Sequence, residues 1–387
     1  MSTEAPFTIA IPDNDLEFLR KKLELTRLPD ELEEAGHEYG APLADVQRLA
    51  KYWQDEYLPK WREHEARLND LPQFTRDIEV EGFGTLNIHY VHKKSEVADA
   101  IPLLFVHGWP GSFIEVRKIL PLLIQASSDH PSFHVVALSL PGYGFSDNPK
   151  KKGFAVGQYA EVCNKLMLAL GYNEYITQGG DWGSLITRKM AQVYGARIAK
   201  GGTPTCPFAP PTQRRSTQPQ AALSILSHFI LGYTEKEKAG LKRSMLFQEH
   251  GIGYFKEQAT QPQTLGYSLA DSPGRGSDLD IHLLVSKAGP TASTRIYFEI
   301  TKQNPLAFST DLATPIPTGY SYFPKEIAVS LTSDENPELG LRIRDDKGGH
   351  FAAWEVPDAL VGDLRKMFGK GSRAFGVVPG KTGYQQN

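Results

Sequence analysis

The sequence predicts an α/β fold: a mostly parallel sheet with helices on both faces, an N-terminal extension and an inserted helical lid. Three observations carry this. Short apolar strands alternate with amphipathic helices between residues 102 and 190, at the spacing of strand–helix–strand units. Pro102-Leu103-Leu104-Phe105-Val106 is apolar on both faces, as in a strand covered by helices on each side. Gly179-Gly180-Asp181-Trp182-Gly183 joins an apolar Tyr175-Ile176-Thr177 to a helix-like Leu185-Ile186-Thr187-Arg188-Lys189-Met190. Glycines two residues either side of a central side chain permit the sharp turn of a nucleophile elbow.

The bulk properties narrow the class. A chain of 387 residues can build one large α/β domain with additions. Hydrophobic content of 40% and charged content of 22% match an ordinary globular protein. A net charge of −3 provides no basic field for nucleic acid or an anionic membrane. Cys163 and Cys206 make no disulfide framework and fit a reduced compartment. The start of the chain lacks a signal peptide, and no run approaches the ~18 apolar residues of a membrane span. The expected location is the cytoplasm, with no transmembrane anchor.

Along the chain, residues 13–28 place Leu16, Leu19 and Leu23 on one helical face, with Asp13 as cap and Pro29 as stop. Leu43, Val46, Leu49, Ala50 and Trp53 share the face of a second helix. Residues 74–80 and 85–91 read as strands joined by Glu81-Gly82-Phe83-Gly84. After the apolar strand 102–106 come a helix from about Glu115, strand 134–138, the loop 141–146, a helix over 159–170, and the strand into the elbow. Residues 198–204, Ile-Ala-Lys-Gly-Gly-Thr-Pro, have little apolar content for the next buried strand.

Residues 207–298 break the rhythm, with helical pieces at 222–231 and 235–246. The sheet resumes at 319–323 and 340–344, and an amphipathic helix covers 359–368. The predicted plan is an extension over 1–95, a first half of the core over 96–206, a lid over 207–298, and the second half with a loose Gly-rich tail over 299–387.

Three motifs fall in the chain order of an α/β-hydrolase active site. His107-Gly108-Trp109-Pro110 ends an apolar strand, where a tight turn can aim a backbone N–H at an oxyanion. The elbow presents Asp181. Gly348-Gly349-His350-Phe351 follows the last strand, where the base of this fold sits. Each alone is an ordinary turn; their order gives them weight. The acid orienting His350 belongs after the preceding strand, where Glu326 stands, with Asp334 and Glu335 as competitors and Asp345 and Asp346 behind them.

A carboxylate nucleophile is already ionised at neutral pH and needs no activating base. It suits attack on a saturated carbon, giving an ester on Asp181. His350 would then activate water to hydrolyse the ester, with the Trp109 and Trp182 backbone N–H groups holding the oxyanion. Epoxide opening and dehalogenation both fit. An epoxide oxygen wants phenol donors, whereas a halide wants N–H donors such as indoles. The lid contains Tyr254 and Tyr297, with Tyr233, Tyr267 and Tyr320 as rivals, and there is no Trp between 183 and 353. No G-x-S-x-G supports an esterase. Gly380-Lys381-Thr382 is no phosphate loop, because Phe375 stands where the partner glycine would be.

These motifs resemble the microsomal-type epoxide hydrolases, especially the soluble fungal members. The resemblance rests on Trp53 and Trp61, Leu71-Pro72-Gln73-Phe74, His107-Gly108-Trp109-Pro110-Gly111-Ser112-Phe113, the Asp181 elbow, Phe323-Pro324-Lys325-Glu326 and Gly348-Gly349-His350-Phe351-Ala352-Ala353. It implies Asp181 as nucleophile, His350 as base, Glu326 as its acid partner, and Tyr254 and Tyr297 as the phenols that hold the epoxide oxygen. It implies an epoxide and water as reactants, a detoxifying role, and no metal or organic cofactor; a homodimer stays open. Only residues 274–296 separate Pro273 from Tyr297, a shorter stretch than the family usually has, so the lid reads as shortened. A haloalkane-type dehalogenase and a catalytically impaired hydrolase-fold protein are the rival readings.

Overall fold

The computed structural model describes residues 3–195, 199–204, 235–271, 289–303, 315–327 and 339–385. The expected helix at 222–231, Cys206, Tyr233, Asp334 and Glu335 lie outside the described residues. The first part of the chain forms β1 (Ala5–Pro6), α1 (Asp13–Glu24), α2 (Leu43–Tyr52), α3 (Trp61–Leu68), β2 (Gln73–Val80) and β3 (Gly84–Lys93). The sheet then continues with β4 (Ile101–Val106), α4 (Val116–Ile124), β5 (Phe133–Leu138), α5 (Val156–Ala169), β6 (Tyr175–Gly179), α6 (Trp182–Tyr194) and β7 (Ala199–Pro204). Among the described residues four helices follow: α7 (Glu235–Leu246), α8 (Gly253–Thr260), α9 (Pro262–Asp271) and α10 (Pro290–Gln303). The chain closes with β8 (Thr318–Tyr322), β9 (Leu339–Arg344), α11 (Ala352–Glu355) and α12 (Pro357–Phe368).

Among the described residues, nine strands form one sheet in the order β1-β2-β3-β5-β4-β6-β7-β8-β9. The β2–β3 hairpin joins the sheet antiparallel, through Tyr90 opposite Leu138. From β5 onward every pairing is parallel. Every residue of β4 is buried, as its continuous apolar run requires of a central strand. One face packs under α4 and α12, through Ile119, Leu123, Leu364 and Phe368. The other packs under α5 and α6, through Val162, Leu166, Ile186 and Met190. Each such side chain contributes about 1.5–3 kcal/mol by leaving water. β7 forms despite its poor apolar content, because its backbone pairs with β6 from Ala199 to Pro204 and with β8 at Gly202.

Three local expectations are corrected. Pro12, not Asp13, precedes α1, and the Asp13 carboxylate pairs with Arg62 instead of capping the helix. α1 also stops at Glu24, short of the predicted 28. The tail is packed, not loose: Ala374, Val378 and Tyr384 are buried, and Gly383 accepts from the Ser132 N–H at 2.7 Å. A Cβ at Gly383 would lie 2.7 Å from the Ser132 carbonyl oxygen, and its φ is +74°. That position therefore needs glycine twice over, for the close approach and for its positive φ. Among the described residues no helix is long and apolar enough to cross a membrane.

Candidate active site

Asp181 occupies the turn between β6 and α6 with φ 49° and ψ −128°, a region that non-glycine residues rarely adopt. Holding it there costs on the order of 1–3 kcal/mol and requires its surroundings to over-determine it. They do so by close contact. A Cβ on Gly183 would lie 2.1 Å from the Val106 carbonyl oxygen, and one on Gly108 would lie 2.3 Å from the Asp181 Cβ. The Ser184 hydroxyl and N–H both donate to the Asp181 carbonyl, at 2.6 and 3.0 Å. The carboxylate is thereby lifted to the C-terminal end of the parallel strands, at the positive start of a helix.

The Trp109 N–H donates to Asp181 Oδ1 at 2.7 Å, from the turn that follows β4. Trp182 is the first residue of α6, where backbone N–H groups are not consumed by the helix's own ladder. On the other side of the carboxylate, His350 Nε2 lies 3.1 Å from Asp181 Oδ2 and His350 Nδ1 lies 2.7 Å from Glu326 Oε1. All three side chains are largely withdrawn from water, Glu326 most of all at 4% exposure.

The loops that carry the base and the acid hold each other. The Lys325 N–H donates to the Gly348 carbonyl at 3.0 Å, and Lys325 bridges Gly349. Gly348 has φ +92°, and a Cβ there would meet Val356 at 2.4 Å. Glu326 Oε1 also accepts from the Ile327 N–H at 2.7 Å, which fixes the carboxylate plane. From α7, Arg243 Nε donates to the Glu326 carbonyl and the Ser244 hydroxyl to that of Ile327, both at 3.1 Å.

The two expected phenols come together over this group. Tyr297 on α10 is buried and sets its ring edge-on to Trp182, with centroids 4.8 Å apart. Tyr254 on α8 is partly exposed and stacks on Trp109 at 5.6 Å; the two tyrosine rings lie 6.0 Å apart. Burial, then the Asp181 charge, pushes the Tyr297 hydroxyl well above the usual phenol range, with the Trp182 indole opposing the shift. The short stretch before Tyr297 therefore does not keep it from the site. Of the rivals, Tyr267 is exposed, and Tyr320 is buried in β8 against Tyr322. Asp345 directly follows β9, its N–H bonded to the Tyr322 carbonyl.

Sequence reasoning passed over two residues beside Asp181. Gln178 on β6 and Glu115 before α4 both line the space that contains Asp181 and His350. β6 also carries the buried Thr177, so a polar residue in that strand is no signal by itself.

Comparison with known proteins finds relatives of the whole fold. The family model for the epoxide hydrolase N terminus matches residues 4–116, and that for the alpha/beta hydrolase fold matches residues 101–224. Epoxide hydrolase 1 of Sus scrofa is 31% identical, over 94% of this chain and 88% of its own length. Juvenile hormone epoxide hydrolase 2 of Ctenocephalides felis is 31% identical, over 93% and 84%. Among solved structures, the epoxide hydrolase of Aspergillus niger superposes with a TM-score of 0.77 at 29% identity, covering 95% of this chain and 96% of that one. The juvenile hormone epoxide hydrolase of Bombyx mori gives 0.80 at 26% identity, covering 95% and 94%.

Proposed function

The chain belongs to the epoxide hydrolase family, and on that premise we propose that it opens an epoxide to a vicinal diol through an ester on Asp181. The observation that carries this reading is the His350 ring, set 2.7 Å from Glu326 and 3.1 Å from Asp181 while a backbone N–H holds the other Asp181 oxygen.

In the first half, Oδ1 rests on the Trp109 N–H, which leaves Oδ2 to attack an epoxide carbon. The carbon–oxygen bond of the ring breaks, and the oxygen takes hydrogen bonds from Tyr254 and Tyr297. Tyr297 keeps its proton across the working pH range because its hydroxyl is raised. Esterification removes the Asp181 charge, one cause of that rise, so the phenol becomes a stronger acid as the alkoxide forms.

In the second half, neutral His350 donates Nδ1–H to Glu326 and turns its Nε2 lone pair toward the ester. It takes a proton from water as the water attacks the carboxyl carbon. The oxyanion is held by the Trp109 and Trp182 N–H groups. Residues 207–298 act as the lid that carries the phenols, and residues 1–95 as the extension that lengthens the sheet. The phenol pair favours an alkoxide over a halide as the leaving group.

The test is to incubate His350→Gln with styrene oxide and read the mass of the Asp181 peptide. The expected result is a stable adduct of one epoxide mass with diol formation abolished. Absence of any adduct, together with no diol from the wild-type protein, would contradict the reading.

A further inference from the structure

The space behind Asp181 is a cavity of about 20 Å³. A single buried water needs roughly 10–15 Å³, so the cavity fits one water and excludes an organic substrate. Its polar boundary is Glu115, Gln178, Asp181 and His350; Phe105 and Leu360 contribute apolar wall. Among the described residues, none of α7–α10 lines it, so Tyr254 and Tyr297 are not part of its wall.

Gln178 presents a bare acceptor in the wall of this cavity. The residue is 1% exposed, and its side-chain carbonyl Oε1 is fully buried with no hydrogen-bond partner among the described residues. A buried carbonyl left bare is costly and is ordinarily satisfied by an ordered water. A second cavity of about 60 Å³, lined by Pro110, Ser112, Ile114 and Trp354, shares Glu115 and Phe351 with the first. Glu115 thus stands between the inner cavity and the outer one.

We propose that this inner cavity holds the hydrolytic water, that Gln178 is its positioning residue, and that the water is replenished from the outer cavity past Glu115. The inference rests on the ester pathway of the preceding section. One water hydrogen bonds to Gln178 Oε1 and the other faces His350 Nε2, which aims the oxygen at the carboxyl carbon of the ester. The attack forms a carbon–oxygen bond and passes one proton to His350. Collapse of the tetrahedral intermediate breaks the bond to the alkyl oxygen, which takes that proton and leaves as the diol's second hydroxyl. Asp181 keeps the oxygen of the water, and the water's second proton passes on to restore the phenol that protonated the epoxide oxygen.

The test separates the two half-reactions. Gln178→Leu removes the carbonyl and leaves the lid, Asp181 and the Trp109 N–H in place. Mixed with styrene oxide and quenched at intervals, it is expected to form the Asp181 ester at the wild-type rate. Its ester should then decay at least tenfold more slowly, so that it accumulates in the steady state. A purely structural role for Gln178 would slow both steps. Should Gln178→Leu not fold, Gln178→Met keeps the side-chain length and serves the same comparison. Ester decay at the wild-type rate in either variant would overturn the water site alone. No ester even in His350→Gln would overturn the ester pathway and this inference with it.

Discussion

At the scale of single residues, the site depends on atoms held where substitution has no room. Gly183→Ala would place a methyl 2.1 Å from the Val106 carbonyl, so the elbow must deform. We expect diol formation to be lost and thermal stability to fall, as read by melting temperature; an active, equally stable variant would contradict the close-approach argument. Tyr297→Phe keeps the ring contact with Trp182 and removes only the hydroxyl. Losing one donor to a developing oxyanion costs about 10²–10³ in kcat, so ester formation should slow by about that factor while ester decay is unchanged. A loss confined to decay would move Tyr297 out of the proposed role. The positions of Asp181 and His350 stand out in sequence because glycines lie beside both, admitting a φ of 49° at Asp181 and of 92° at Gly348. Glu326 was one acid among several, since a carboxylate that orients a histidine looks in sequence like any surface charge. Gln178 was not legible, because only packing tells whether its amide faces a partner or a void.

At the scale of elements, helices and strands bring charged groups into places where their protonation affects folding. Asp363 on α12 is buried, and its carboxyl is pushed up to about 7, chiefly by burial. The Ser321 hydroxyl and Lys366 lower it, and Asp345 raises it. Its folded value lies above its unfolded one, so its stabilising contribution is complete below about pH 4 and is lost as pH rises through 7. Asp363→Asn should remove that loss, which melting temperature across pH 4–8 would show; curves parallel to the wild type would contradict it. His89 on β3 has the opposite sign. Buried between Ser139 and Gln73, it is pushed down to about 3, so its contribution is lost as pH falls from its ordinary value of 6.5. Neither effect was readable from sequence, because both arise from burial by elements distant along the chain. α7 is a different case: its bounds were read correctly from pattern, but its grip on the Glu326 backbone through Arg243 was not.

At the scale of the whole molecule, the alternation of apolar strands and amphipathic helices was enough to predict a parallel sheet, and β4 and β5 appear where the pattern put them. Sheet order was beyond the pattern, because the β3–β5 contact joins residues far apart in sequence. The tail was misread for a related reason. Its glycines signal turns, but whether a turn is loose depends on the partner it meets, here the segment around Ser132. The long-range pairings converge on one end of the sheet, where turns after β4, β6, β8 and β9 deliver Trp109, Asp181, Glu326 and His350. The account as a whole requires that water oxygen enter the protein before it enters product. Single turnover of styrene oxide in H₂¹⁸O, with enzyme in excess, should leave the label in the Asp181 carboxylate and none in the diol. Label in the diol with an unlabelled Asp181 would mean direct attack of water on the epoxide, and would contradict the ester pathway.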